Sequence, residues 1–183
     1  MLTNGSFLSP IFDNIPLELR GYPHWVVWCT IPGVPKPRKM PLNPGRGYPA
    51  STKKPESWGP FAQAVAFYKG HHGKEHRFRL QDAHVTGVIR GIGFVLSEAA
   101  PFAGVDLDQC VANDGTVAPW ALTIVNRLQS YTEFSPSGAG LRIFVRAEKA
   151  GDKCRQGGIE IYRTLRYLTV TGHRFATNGE ANV

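Results

Sequence analysis

Apolar positions along this chain fall mostly into short runs with the length and composition of β-strands, and such runs outnumber helical stretches. Residues 24–30, His-Trp-Val-Val-Trp-Cys-Thr, are rich in β-branched and aromatic types and predict a buried strand. The next stretch, 31–54, carries Pro32, Pro35, Pro37, Pro41, Pro44 and Pro49, which exclude a long helix or a central strand. It reads as an irregular excursion with a short strand near Met40-Pro-Leu42. Ser57 predicts a helix cap, with the helix running from Trp58 to about Lys69 and stopping before Gly70. Phe61, Ala64, Val65 and Tyr68 give that helix its apolar stripe. Residues 70–87 read as a polar loop. Gly91–Leu96 and Phe102–Leu107 read as two strands whose short separation suggests a hairpin. Asp114-Gly115 marks a turn. Ala118 to Ser130 reads as a helix, with Trp120 or Ala121, Ile124, Val125 and Leu128 on one face. Tyr131–Glu133 is short and extended. Ser135-Pro-Ser-Gly-Ala-Gly140 is a glycine-rich loop leading into a strand over Leu141–Arg146. Further strands follow at Ile159–Tyr162 and Arg166–Thr171, and the polar tail from Thr177 is expected to fray. No internal repeat is visible. Strands and helices do not alternate strictly, which predicts an α+β fold: a mostly antiparallel, mixed sheet flanked by helices. One domain over 1–183 is expected, with a core at about 24–173 and a polar tail over 174–183.

Composition narrows the classes. A chain of 183 residues, 42% hydrophobic, can bury one substantial core. It holds no apolar run near the roughly 20 residues that cross a bilayer, and its N-terminus lacks a basic segment ahead of an apolar one. No membrane partner and a cytoplasmic location are expected. Cys29, Cys110 and Cys154 are far apart and read as buried or incidental thiols. The net charge is +7 and unevenly spread. Lys36, Arg38, Lys39, Arg46, Lys53 and Lys54 precede the first acid of their region, Glu56, and make a candidate nucleic-acid contact. A second basic cluster runs through Lys69, His71, His72, Lys74, His76, Arg77 and Arg79. Its His72/His76 spacing would suit zinc on a helix, but Gly70 and Gly73 flank it and no cysteine is near.

Candidate chemistry centres on Gly104-Val-Asp-Leu-Asp108. Asp106 and Asp108 stand two apart on a predicted strand, so both carboxylates project from one face. Like charges at that spacing are tolerated when a cation lies between them, and hard oxygen ligands suit Mg²⁺ or Mn²⁺. Glu160 lies between Ile159 and Ile161. If both isoleucines face the core, Glu160 faces away, and a neighbouring strand would bring it to the pair. Three acids can hold two metals for phosphoryl transfer. The loop at Ser137, Gly138 and Gly140 offers small residues to phosphate oxygens, and Arg142 and Arg146 add guanidiniums at even spacing. His173 either contacts substrate phosphate or caps its strand.

These pieces, in this order, resemble the bifunctional primase–polymerase domain of phages, plasmids and other mobile elements, within the archaeo-eukaryotic primase superfamily. The resemblance rests on Trp25-Val-Val-Trp28, Met40-Pro-Leu-Asn-Pro44, Ser57-Trp-Gly-Pro-Phe61, Gly91-Ile-Gly-Phe-Val95, Gly104-Val-Asp-Leu-Asp108, Ser130-Tyr-Thr-Glu133, Ser135-Pro-Ser-Gly-Ala-Gly-Leu141, Glu160-Ile-Tyr162 and Arg166-Tyr-Leu-Thr-Val-Thr-Gly-His173. It implies a modified RNA-recognition-motif-like sheet and template-directed joining of nucleoside triphosphates on single-stranded DNA template and primer. It implies that Asp106, Asp108 and Glu160 are catalytic metal ligands. It further implies that the host cell is bacterial or archaeal, or the gene phage- or plasmid-borne, with a replicative helicase in the same or a neighbouring chain. Arg142 stands where this family often has a histidine; arginine binds phosphate but does not donate a proton. Two other functions stay open at this point: a non-catalytic single-strand-binding module that retains the fold, and a metal-dependent nuclease.

Overall fold

The computed structural model describes residues 7–33, 37–147 and 155–176; Lys36, Cys154 and the tail from Thr177 lie outside them. In chain order the helices are α1 (Leu17–Arg20), α2 (Phe61–His71) and α3 (Pro119–Leu128). The strands are β1 (Trp25–Ile31), β2 (Arg38–Leu42), β3 (Glu75–Leu80), β4 (Ala83–Leu96), β5 (Phe102–Leu107), β6 (Tyr131–Phe134), β7 (Leu141–Arg146), β8 (Arg155–Gln156), β9 (Ile159–Tyr162) and β10 (Arg166–Val170). The chain divides into two compact units. One comprises Leu17–Val95 with Tyr167–Val170. The other comprises Leu96–Arg166, with the chain up to Pro16 and from Thr171.

In the Leu17–Val95 unit the strands follow the order β10-β4-β1-β2, and β3 also pairs with β4. β1 is antiparallel to both β2 and β4. Its run of apolar residues is buried on both faces, as a central strand requires. Trp25 and Trp28 are core residues, at 0% and 1% exposure. The Trp25 indole N–H donates to the Leu19 carbonyl, 3.2 Å away, and its ring meets Phe61 and Phe94 edge-on. A β-bulge breaks the β1–β4 ladder between Trp28 and Cys29, leaving Arg90 without a directly opposite residue.

Three local expectations change. First, α2 starts at Phe61, not Trp58. Pro60 occupies its N-cap and pushes the preceding Gly59 out of the helical region, so Gly59 pairs with Trp25 instead. Ser57 ends a 3₁₀ turn, Pro55–Ser57, its hydroxyl donating to the Lys54 carbonyl at 2.6 Å. Second, residues 70–87 are not a loop. They hold β3 and the first part of β4, paired from Glu75↔Val88 to Leu80↔Ala83. Charged residues fill the outer side of β3 and leave Phe78 as its one buried position, so the period of two was masked. Third, β4 and β5 are not a hairpin: β4 pairs within the first sheet, whereas β5 pairs with β7 and β9.

The other unit carries an antiparallel sheet in the order β6-β7-β5-β9-β8. One side packs on α3: Val105, Leu107, Leu141 and Ile143 meet Cys110, Val117, Ala121 and Val125. The α+β class and antiparallel pairing are as expected, but the strands form two sheets. Among the described residues no helix is long and apolar enough to cross a membrane.

Candidate active site

The side of the second sheet opposite α3 collects the acidic residues. Val105 and Leu107 point into the α3 core, so Asp106 between them points away. Asp106 stands directly opposite Arg142 on β7 and Glu160 on β9. Arg142 in turn faces Glu133 on β6, and Glu160 faces Arg155 on β8. One row of five charged residues therefore crosses all five strands, in the order Glu133, Arg142, Asp106, Glu160, Arg155. Directly opposed residues share a side, and opposite charges there attract.

The contacts follow this register. Arg142 Nε lies 3.2 Å from Asp106 Oδ1, with both side chains largely buried. Arg155 Nε lies 2.6 Å from Glu160 Oε1, and the Tyr162 hydroxyl donates to the other Glu160 oxygen. Asp108 sits just past β5, its N–H donating to the Gly158 carbonyl at 2.8 Å. Burial raises the Asp108 carboxyl above its ordinary range, and the charges of Asp106 and Glu160 push it further up. Asp108 thus feels both Asp106 and Glu160. Ile159 packs on the core but Ile161 is 39% exposed, so the expected core-facing pair around Glu160 is only half formed.

Glu133, to which the sequence alone assigns no role, is 0% exposed. It accepts hydrogen bonds from the Tyr131 hydroxyl (2.7 Å), the Thr171 N–H (3.0 Å) and the Gly172 N–H (2.8 Å). Burial pushes its carboxyl up to about 6, against the pull of those donors and of Arg142. Its sequence signals are its place at the end of the family-like segment Ser130-Tyr-Thr-Glu133 and its position in a strand between Thr132 and Phe134. Arg155, likewise unassigned, was visible only as a lone arginine.

The glycine-rich loop is a tight turn. The Gly138 N–H donates to the Ser135 carbonyl at 2.8 Å, Gly138 has φ of 74°, and the Ser135 and Ser137 hydroxyls lie 3.2 Å apart. Gly140 has no room for a side chain, since a Cβ there would lie 2.5 Å from the Leu107 carbonyl oxygen. Beside this loop a cleft of about 380 Å³ opens, lined by Val111, Asn113, Gly115, Phe134, Ser137 and Gly138 among others. Arg146 does not join Arg142; its guanidinium lies over the Phe102 ring. His173 sits with Nε2 2.8 Å from the Ser9 carbonyl oxygen. Arg38, Lys39, Arg46, Lys53 and Lys54 are exposed and belong to the other unit. His72 ends α2 and His76 lies on β3, its Nε2 2.9 Å from the Gly47 carbonyl oxygen.

The donor chemistry fits a hard divalent cation. Asp106, Asp108 and Glu160 are oxygen ligands, and Asp108 shows the mutual repulsion that a cation would relieve. In the present arrangement guanidiniums supply the positive charge, and among the described residues no three acidic, histidine or cysteine side chains already form a metal-holding group.

The chain is 32% identical over 168 residues to a DNA primase-polymerase of Nitratiruptor phage NrS-1, an overlap covering 86% of this chain and 20% of that protein. It therefore spans about a fifth of the length of that relative. No family model matches the chain.

Proposed function

Because the chain belongs, over this domain, to the primase–polymerase family, we propose that it joins nucleoside triphosphates on a single-stranded DNA template. The observation that carries the proposal is the row Glu133, Arg142, Asp106, Glu160, Arg155, with Asp108 one step beyond it. We take the second sheet with α3 as the modified RNA-recognition-motif-like core of that family. Asp106, Asp108 and Glu160 are the groups that would hold Mg²⁺ or Mn²⁺. Bound there, the ions would act as Lewis acids, activating a primer 3′-hydroxyl and neutralising the departing pyrophosphate.

The protein's own groups do the rest. Arg155, whose side chain is 70% exposed, swings off Glu160 to release that carboxylate. Arg142, held between Asp106 and Glu133, turns its guanidinium fork to the triphosphate, as arginine favours phosphate oxygens. Ser137 and Gly138, on the small-residue turn that ends at Gly140, border a cleft and offer close approach to triphosphate oxygens. His173 contributes once its ring leaves the Ser9 carbonyl. Arg38, Lys39, Arg46, Lys53 and Lys54 are exposed cations that attract template and primer, and Lys36 falls in the same stretch of sequence. We place this activity in mobile-element replication, alongside a helicase in the same or a neighbouring chain.

Primer extension with Mg²⁺ or Mn²⁺ tests the assignment. Asp106→Ala with Asp108→Ala should abolish it, and undiminished extension would refute it. The Arg142–Asp106 ion pair favours one second reading, since it occupies a proposed metal ligand: a non-catalytic single-strand-binding module. Single-strand binding indifferent to metal and to nucleotide, with no extension, would select that reading.

A further inference from the structure

The first sheet has one side that is half covered and half open. Facing residues in an antiparallel pair share a side. Lys39 on β2 faces Thr30 on β1, Thr30 faces Val88 on β4, and Val88 faces Glu75 on β3. Two residues on, Arg77 faces Thr86, and two further, Arg79 faces His84. Arg90, the bulge residue, joins them by donating from Nε to Thr30 Oγ1 at 3.3 Å. Val26 and Val95 belong to the same side, and Trp58, Ala50 and Tyr167 pack over them. At the other end Lys39, Arg77, Arg79, His84 and Thr86 are exposed and Arg90 is half-buried, while the intervening Phe78, Gly87 and Ile89 are buried. Four permanent cations share this open half with one acid, Glu75. Asp82 at the turn lies 3.9 Å from Arg79, but both are exposed, and such pairs contribute little.

We propose that this open half-face docks the phosphate backbones of a primer–template duplex. The inference rests on the nucleotide-joining function above but assigns the duplex to residues mostly outside the proposed site. Neighbouring strands lie about 4.8 Å apart, so β2, which carries Lys39, and β3, which carries Arg77 and Arg79, run about 14 Å apart. That is comparable to the groove of about 12 Å between the two backbones of a duplex. Guanidiniums and hydroxyls at alternate positions suit phosphate contacts that ignore sequence. Single strands are held chiefly by stacking on exposed rings. Among the described residues this open half exposes no Phe, Tyr or Trp; Trp28 is 1% exposed, with the Lys39 ammonium 5.5 Å from its ring centroid.

Fluorescence anisotropy on the full chain tests this, with a labelled primer–template and an unpaired strand of equal length, between about 50 and 200 mM salt. Arg77→Glu with Arg79→Glu should weaken primer–template binding at least about tenfold and lower the slope of log K against log salt by about 2. Unpaired-strand binding should change far less. His84→Glu should act in the same direction from an independent position. Arg127→Glu reverses an exposed charge on α3 in the other unit and should leave binding near wild type. Binding is read without metal or nucleoside triphosphate and primer extension is read separately, so that loss of docking and loss of catalysis are distinguished. Wild-type duplex affinity and salt slope in the arginine and histidine variants would overturn the proposal. Equal weakening for both nucleic acids would overturn the duplex assignment.

Discussion

Replacing Glu133 with alanine should destabilise the protein by an amount that depends on pH in a sign set by its burial. The substitution removes the acceptor for the Tyr131 hydroxyl and for the Thr171 and Gly172 N–H groups. The tyrosine hydroxyl can rotate to another partner, but two buried backbone donors cannot, at about 1–3 kcal/mol each. Against this, the carboxyl is raised from 4.5 to about 6, so its ionised form costs the folded state about 2 kcal/mol, which the variant recovers at neutral pH. The net loss at pH 7.5 should be about 0–4 kcal/mol. A raised carboxyl means the folded state binds the proton more tightly, so this residue's contribution to stability falls as pH rises from 4.5 to about 6. Wild type minus Glu133→Ala should therefore be about 2 kcal/mol larger below that window than above it. Urea unfolding of both proteins across the window measures the difference, and groups unaffected by the substitution cancel. A gap that is constant or grows with pH would refute the reasoning, because Glu133 would then be stabilised as an anion.

Three further outcomes are expected. Gly140→Ala, whose new Cβ would lie 2.5 Å from the Leu107 carbonyl oxygen, should lower unfolding stability by about 1–3 kcal/mol, measurable by urea titration. Arg142→Lys, losing the guanidinium whose Nε meets Asp106, should raise KM for nucleoside triphosphate about tenfold with a smaller change in kcat; steady-state extension kinetics would show it. Asp108, raised by burial and by Asp106 and Glu160, should make metal-dependent extension fall as pH drops through its pKa. Higher Mn²⁺ should move that midpoint to lower pH, and a midpoint fixed against metal concentration would count against Asp108 as a ligand.

Much of the fold was legible because buried strands advertise themselves. β1, β5, β7 and β10 are apolar or β-branched runs, and α3 shows its stripe through Ala121 and Val125. What escaped was decided by competition or by distance. Ser57 is a good cap, but Pro60 fixes the backbone closer to the helix and wins. β3 looked like a loop because Glu75, Arg77 and Arg79 face solvent and dominate its composition. Proximity in sequence suggests that β4 and β5 pair, whereas β4 pairs with β1 and β3 in one sheet and β5 with β7 and β9 in the other. In the candidate site, that Asp106 projects from its strand opposite Leu107 followed from the period of two. That Arg142 and Glu160 flank it is register, which no local pattern encodes. Glu133 escaped because a buried carboxylate is recognisable only once its backbone donors at Thr171 and Gly172, about forty residues away, are in place.

The bulge at Arg90 gives β4 an unusual tolerance. Removing one residue from a paired strand ordinarily turns every later side chain to the wrong side. Here Ile89 and Gly91 already face Cys29 and Trp28, which are themselves consecutive. Excising Arg90 would join the two halves of β4 in frame, like deleting a whole codon, and close the ladder. Against β1, Arg90 is an inserted residue, and its guanidinium is what reaches back to that strand at Thr30.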